Sequence, residues 1–151
     1  MIYDRVQANI DTALIIRKKL QQGETLTEAE IGVLERGTLT INTLNRIEQK
    51  QAELIEIFNL LGYWNTNGIE NKEWKYTGYF KQEDFDRILQ NLEMLKSAYY
   101  VYSATPSVPN ANYRQFNTIN VVEHILNDLE KMVDDMRENY RICGTAECGG
   151  D

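Results

Sequence analysis

The chain has 151 residues, 42% of them apolar and 26% charged, with only two prolines and nine glycines. That length suits one domain, and the composition excludes both a disordered segment and a turn-rich β fold, leaving helix as the default. The formal charge is −7, with eight acids against three bases from Asn120 onward. Nucleic acid and anionic membrane are disfavoured as partners, because each requires a concentrated basic face. The densest basic run, Arg17-Lys18-Lys19, lies near a helix end, where it complements the helix dipole. No run approaches the roughly 18 apolar residues of a membrane span, and Met1-Ile2-Tyr3-Asp4-Arg5 lacks the basic and apolar regions of a signal peptide, so synthesis and folding in cytoplasm are expected.

In chain order, Asp4 followed by Gln7 reads as a capping box, and Val6, Ile10, Ala13, Leu14 and Leu20 recur at near-helical spacing until Gly23, predicting a helix over about 5–22. Thr27-Glu28-Ala29-Glu30 is a second capping box, with Leu26 and Ile31 placed as a hydrophobic staple, and Gly37 ends that short helix. A third helix, about 20 residues from Thr40, carries Leu44, Ile47, Leu54, Phe58 and Leu61 on one stripe and closes at Gly62. Gln51 interrupts the stripe and reads as a partly exposed position, with a register-setting polar residue as the alternative. Between Gly62 and Phe80 the pattern turns aromatic. Asn67-Gly68 favours positive φ, which predicts a compact loop or small hairpin whose Trp64 and Trp74 cap the bundle end or, alternatively, stack on a ligand.

A fourth helix starts at Lys81-Gln82-Glu83-Asp84 and carries Phe85, Ile88, Leu92, Leu95, Tyr99 and Tyr102 at three- and four-residue steps. Residues 103–111, with Pro106 and Pro109, form a hinge that cannot continue it. The last helix is expected over 112–142, with Asn112 and Gln115 as its capping pair. Ile119, Val122, Leu126, Leu129, Val133, Met136 and Tyr140 make an unbroken alternation of threes and fours, a coiled-coil-like seam suited to the bundle or to other subunits. The expected architecture is therefore an all-α bundle of about five helices: a body over 1–102 with its aromatic loop at 63–80, the hinge, the long C-terminal helix, and a Cys/Gly tail over 143–151.

Chemistry-bearing groups are sparse. Cys143 and Cys148 supply two metal donors where zinc usually needs four, and a continuous helix puts His124 about 28 Å from Cys143. Free thiols are expected, with ligands completed by symmetric copies, or a strained local disulfide formed outside the cell, as the alternatives. There is no glycine-rich phosphate loop, no nucleophile elbow and no second histidine, so no catalytic residue and no cofactor is expected.

One device recurs. Leu44-Asn45-Arg46-Ile47-Glu48 returns as Phe85-Asp86-Arg87-Ile88-Leu89 and as Phe116-Asn117-Thr118-Ile119-Asn120. Aligned on isoleucine, the copies place Asn45, Asp86 and Asn117 in the first turns of three helices, where a short polar side chain can bind loose backbone N–H groups. These three are read as joints that fasten the loop entering each helix.

The first of these copies, together with Tyr3-Asp4-Arg5-Val6-Gln7-Ala8-Asn9-Ile10-Asp11, resembles small structural proteins of tailed bacteriophages and prophages of Gram-positive bacteria. Those chains open with an Asp-Arg-Thr-Gln-x-Asp-Val-Asp type of segment and carry an Asp-Leu-Asn-Arg-Val-Glu type of helix. Here Val6 stands for the Thr, Thr43 for the Asp, and the third copy lacks the Arg. The resemblance implies a virion component of the tail, baseplate or fibre-attachment region, made in the host cytoplasm, with other phage structural proteins as partners and multiple copies or a homo-oligomer as its state. The other readings are a soluble helical binding or regulatory protein using the aromatic loop, and a metal-binding oligomer built on Cys143 and Cys148.

Overall fold

The computed structural model describes residues 2–63, 70–75, 79–110, 112 and 115–145, with the side chains of 140–145 excepted. These residues form five helices and no strand: α1 (Gln7–Gln21), α2 (Glu28–Gly37), α3 (Ile41–Leu60), α4 (Gln82–Ala98) and α5 (Phe116–Thr145). The fold is the expected all-α bundle. α1 and α2 form a helical hairpin, while α3, α4 and α5 each pack against the other two.

Local chemistry sets the ends. Thr27 caps α2 as expected, its hydroxyl accepting from the Glu30 N–H at 3.3 Å while the Glu30 carboxylate accepts from the Thr27 N–H at 2.9 Å. Thr40 caps α3 by accepting from the Thr43 N–H at 3.2 Å. α1 departs from expectation: Val6 is its N-cap, and Asn9 rather than Gln7 reaches back to the Val6 N–H, at 2.9 Å. Asp4 pairs instead with Arg36 of α2 at 3.2 Å. Gly23 and Gly62 close their helices at φ of 81° and 86°, the left-handed region that costs glycine nothing.

Gly37 ends α2 as expected and has a second role in packing. It is the buried last residue of α2, and a Cβ there would stand 2.2 Å from the Asn9 carbonyl oxygen and 2.3 Å from the Ala13 Cβ. The hairpin therefore closes backbone against backbone, with Ala13 and Ile16 the buried residues of α1. Leu14, Ile15, Leu20 and Ile31 remain exposed on the hairpin.

The main core lies in the three-helix part. Leu44, Ile47, Leu54 and Phe58 of α3 meet Phe85, Ile88, Leu92 and Leu95 of α4 and the buried face of α5. Burial of each such side chain is worth about 1.5–3 kcal/mol. On α5, Ile119, Val122, Leu126, Leu129 and Val133 are all within 4% of full burial inside this chain, so they do not form a seam with another subunit. Ile125 and Met132 are buried as well, widening the stripe to the face of a globular bundle helix. Met136 packs against the core edge, and the Tyr140 side chain lies outside the described residues.

Gln51 is fully buried, not partly exposed, and its Nε2 donates to the Ile88 carbonyl of α4 at 2.8 Å. α4 stops at Ala98, before the expected Tyr99 and Tyr102, because the run Tyr99-Tyr100-Val101-Tyr102 prefers extended backbone; Tyr99 sits at φ −149° and ψ 178°. The segment that follows is tied down at both sides: Lys96 Nζ donates to the Pro106 carbonyl at 2.7 Å, and Thr105 Oγ1 to Asp128 at 2.8 Å. α5 begins at Phe116, four residues after the capping residue expected at Asn112.

Two glycines give opposite expectations. Gly37→Ala should lower the unfolding free energy by about 1–3 kcal/mol, whereas Gly32→Ala, inside α2 with open space around it, should raise it by about 0.5–1 kcal/mol, both read by urea denaturation. Acid should loosen the hairpin. The Lys19 ammonium and the Thr27 cap hold the Glu30 carboxyl at about 2, below its ordinary 4.5. The folded value is the lower one, so this contribution is present above about pH 4.5 and is lost as the pH falls through about 2. Glu30→Gln should make melting temperature fall less steeply across that window.

Candidate functional site: two carboxylates that hold extended segments

Each of two helices places an Asn and, three residues on, a Glu on the same face: Asn45 and Glu48 on α3, Asn120 and Glu123 on α5. In α3, Asn45 Oδ1 accepts from the Trp74 N–H at 2.6 Å, and its Nδ2 donates to the Trp74 carbonyl at 3.0 Å. Glu48 then accepts from the Trp74 indole N–H at 3.1 Å and from the Lys72 backbone N–H at 3.1 Å. One residue of an extended segment is thus gripped by both backbone groups and by its side chain.

α5 repeats the arrangement on the N-terminal segment. Asn120 Oδ1 accepts from the Arg5 N–H at 3.3 Å, and Nδ2 donates to the Arg5 carbonyl at 2.9 Å. Glu123 accepts from Arg5 Nη1 at 2.5 Å. Next to it, the Tyr3 ring stacks on His124 with centroids 4.9 Å apart. Arg5 and Trp74 therefore occupy equivalent positions, each an N–H-bearing side chain on a clamped backbone.

An arginine from a neighbouring helix completes each carboxylate. Arg87 of α4 binds both oxygens of Glu48 and also donates to the Glu70 carbonyl at 2.6 Å, where Asn91 Nδ2 joins it at 2.8 Å. Arg46 of α3 donates to Glu123 through Nε at 3.0 Å and Nη2 at 2.6 Å. Glu48 is 2% exposed and Glu123 0%. A carboxylate so deep in an apolar bundle is tolerable only with such partners, since an unpaired buried charge costs several kcal/mol.

These contacts correct the register of the repeat. Asn45-Arg46-x-Glu48 matches Asp86-Arg87-x-Leu89 in α4, as expected, but it matches Asn120-Val121-x-Glu123 in α5, one turn later than the copy at Asn117. Asn117 is exposed, with no side-chain hydrogen bond among the described residues. Asp86 is exposed too, and accepts from Gln82 Nε2 at 2.7 Å without touching a loop. Among the described residues only Asn45 of the three expected joints fastens a loop, and it holds the one entering α4 rather than α3. Asn120, Glu123 and Trp74 were missed as a set, although the repeated Asn-x-x-Glu spacing was open to view; the alignment on isoleucine hid it.

The corrected register shows a cycle of helix contacts. α4 gives Arg87 to α3, and α3 gives Arg46 to α5. The remaining step, α5 to α4, would pair the positions of Val121 and Leu89, and both are apolar and packed against the core. Donor and acceptor are missing together there, so no charge is left unmatched.

Chemically, both carboxylates are spent on N–H donors. Among the described residues no three His, Cys, Asp or Glu side chains are grouped to hold a metal. The Cys143 side chain and Cys148 lie outside the described residues, as do Trp64, Asn67-Gly68 and Tyr76 of the aromatic loop. Trp74 is half-buried and meets Phe80 edge-on at 5.1 Å, which carries the segment onto the core. No described helix is long and apolar enough to cross a membrane.

The register assignment has a direct consequence for mutants. Asn120→Ala should cost about 1–3 kcal/mol by leaving the Arg5 backbone groups unpaired, whereas Asn117→Ala should stay within about 0.5 kcal/mol of the parent. Glu123→Ala, which strands two arginines, should cost about 3–5 kcal/mol in chemical denaturation. Comparison with protein-family models, curated proteins and solved structures returns no match for this chain.

Proposed function

We propose that this chain is a non-catalytic structural component of a tailed-phage virion, from the tail, baseplate or fibre-attachment region, made in the host cytoplasm and incorporated by helix and segment contacts. One observation carries the reading beyond the resemblance itself. The two stretches that resemble phage structural proteins, one containing Arg5 and the other Arg46, are far apart in sequence yet converge on the same carboxylate, Glu123. The motifs therefore form one architectural unit, which suits a structural role.

Two further features support assembly as the role. The polar groups of the repeat are used to fix irregular segments against rigid helices, which sets geometry. The hairpin meanwhile exposes Leu14, Ile15, Leu20 and Ile31, side chains suited to a neighbouring protein. The aromatic-loop alternative is weakened at Trp74, whose indole N–H is already given to Glu48.

Mass spectrometry of purified particles should find the chain at a fixed copy number, and light scattering of the purified protein should show self-association or capture by a particle component. A strictly monomeric protein absent from particles would contradict the proposal.

A further inference from the structure

The outer face of α1 is not used by the fold. At about 100° per residue, positions 11, 14, 15 and 18 share one side of a helix. That side is turned away from Ala13 and Ile16, the residues α1 buries. Asp11, Leu14, Ile15 and Lys18 are all exposed there, Leu14 by 47% and Ile15 by 61%. Burying two adjacent aliphatic side chains against a partner is favourable.

The face is palindromic in character. Centred between Leu14 and Ile15, it reads Gln7, Asp11, Leu14, Ile15, Lys18, Gln22: an amide, a charge, two aliphatics, the opposite charge and an amide, all exposed. A second α1 laid antiparallel about a two-fold axis at that centre brings Leu14 onto Ile15, Asp11 onto Lys18 and Gln7 onto Gln22. Each contact then occurs twice, as a two-fold interface requires. The steps of three and four residues are those that interleave side chains between two helices at a shallow crossing. Both charges are available: Lys18 has no ion pair among the described residues, and Asp11 accepts only from Gln7 Nε2 at 3.0 Å. The neighbouring Lys19 is taken by Glu30.

The charge distribution favours a second copy at this place. The chain carries −7, so acidic faces of two copies repel. Residues 7–37 hold four bases and five acids, a net −1 that leaves −6 on the rest. The face on α1 is itself neutral, with one acid and one base of self-complementary placement.

We infer that this face of α1 is a two-fold contact between copies of the chain, with the two helices antiparallel and centred on Leu14 and Ile15. The contact deepens the assembly role proposed above, on which it rests for the hairpin meeting a neighbour, and names that neighbour as a second copy. One helix per copy falls below the standard interface size, so the isolated dimer should have a dissociation constant of about 10–500 μM.

Sedimentation velocity of the full chain from about 10 μM to 1 mM tests the contact, with circular dichroism checking that each variant is helical. Asp11→Lys makes the face wholly basic and Lys18→Asp makes it wholly acidic, so each should weaken self-association at least roughly ten-fold. An equimolar mixture of the two should recover dimer to within about three-fold of the parent. Leu14→Ala combined with Ile15→Ala, which favours helix, should weaken it by a similar factor and serves should a charge variant fail to fold. A chain monomeric at about 1 mM, self-association unchanged in these variants, or folded charge variants that recover no dimer on mixing would each overturn the inference. A monomer nonetheless found in particles would overturn this contact and leave the structural role standing, whereas a dimer with these responses that is absent from particles would do the reverse.

Discussion

A carboxylate inside an apolar bundle has to find enough donors to replace the water it has left, and in this chain two of them do. Glu48 and Glu123 sit at core depth on α3 and α5. Meeting their demand draws in an arginine from a second helix and an extended segment from elsewhere in the chain. Much of the molecule that is not helix is placed by this requirement: residues 70–75 lie across α3, and residues 2–6 lie across α5. The hydrophobic core supplies the driving force for folding, while the paired carboxylates choose which segment lies where.

The Asn three residues before each Glu makes the choice specific. A primary amide can accept from a backbone N–H and donate to a backbone carbonyl at once, so Asn45 and Asn120 treat an irregular segment as a sheet would treat a strand. Irregular backbone near a core otherwise leaves polar groups without partners. The two arginines, from α4 to α3 and from α3 to α5, then link the two clamps into one network, and the third side, at Val121 and Leu89, is apolar packing. By contrast the α1–α2 hairpin is held by a close backbone approach at Gly37 and by exposed ion pairs, which contribute little in water. The molecule therefore combines a well-determined bundle with a hairpin whose apolar surface is only partly used.

Much of the helical framework was legible in the residues, because it rests on local signals. Thr27 with Glu30 marks a start whatever lies around it, Gly23 and Gly62 mark stops, and the stripe on α5 follows from its period. What sequence could not locate were interactions between distant segments. Gln51 looked like a defect in a stripe because its partner, the Ile88 carbonyl, is a backbone group on another helix. Asn117 was preferred over Asn120 because the apolar residues of the repeat align equally well at two registers one turn apart, and only the clamped segment distinguishes them. Gly37 was legible as the end of α2 but not as a packing contact, because the neighbours it meets, Asn9 and Ala13, are 28 and 24 residues away.

Two extended segments belong to the core through single clamped residues, and native-state hydrogen exchange reads this out amide by amide. The Arg5 and Trp74 amides, each donated to an asparagine side chain, should exchange with protection approaching that of the α3 and α5 core amides, while the amides of Asp4 and Lys75 exchange freely. Exchange of the Arg5 and Trp74 amides at the rate of their unprotected neighbours would mean that the asparagines do not clamp these segments to the core.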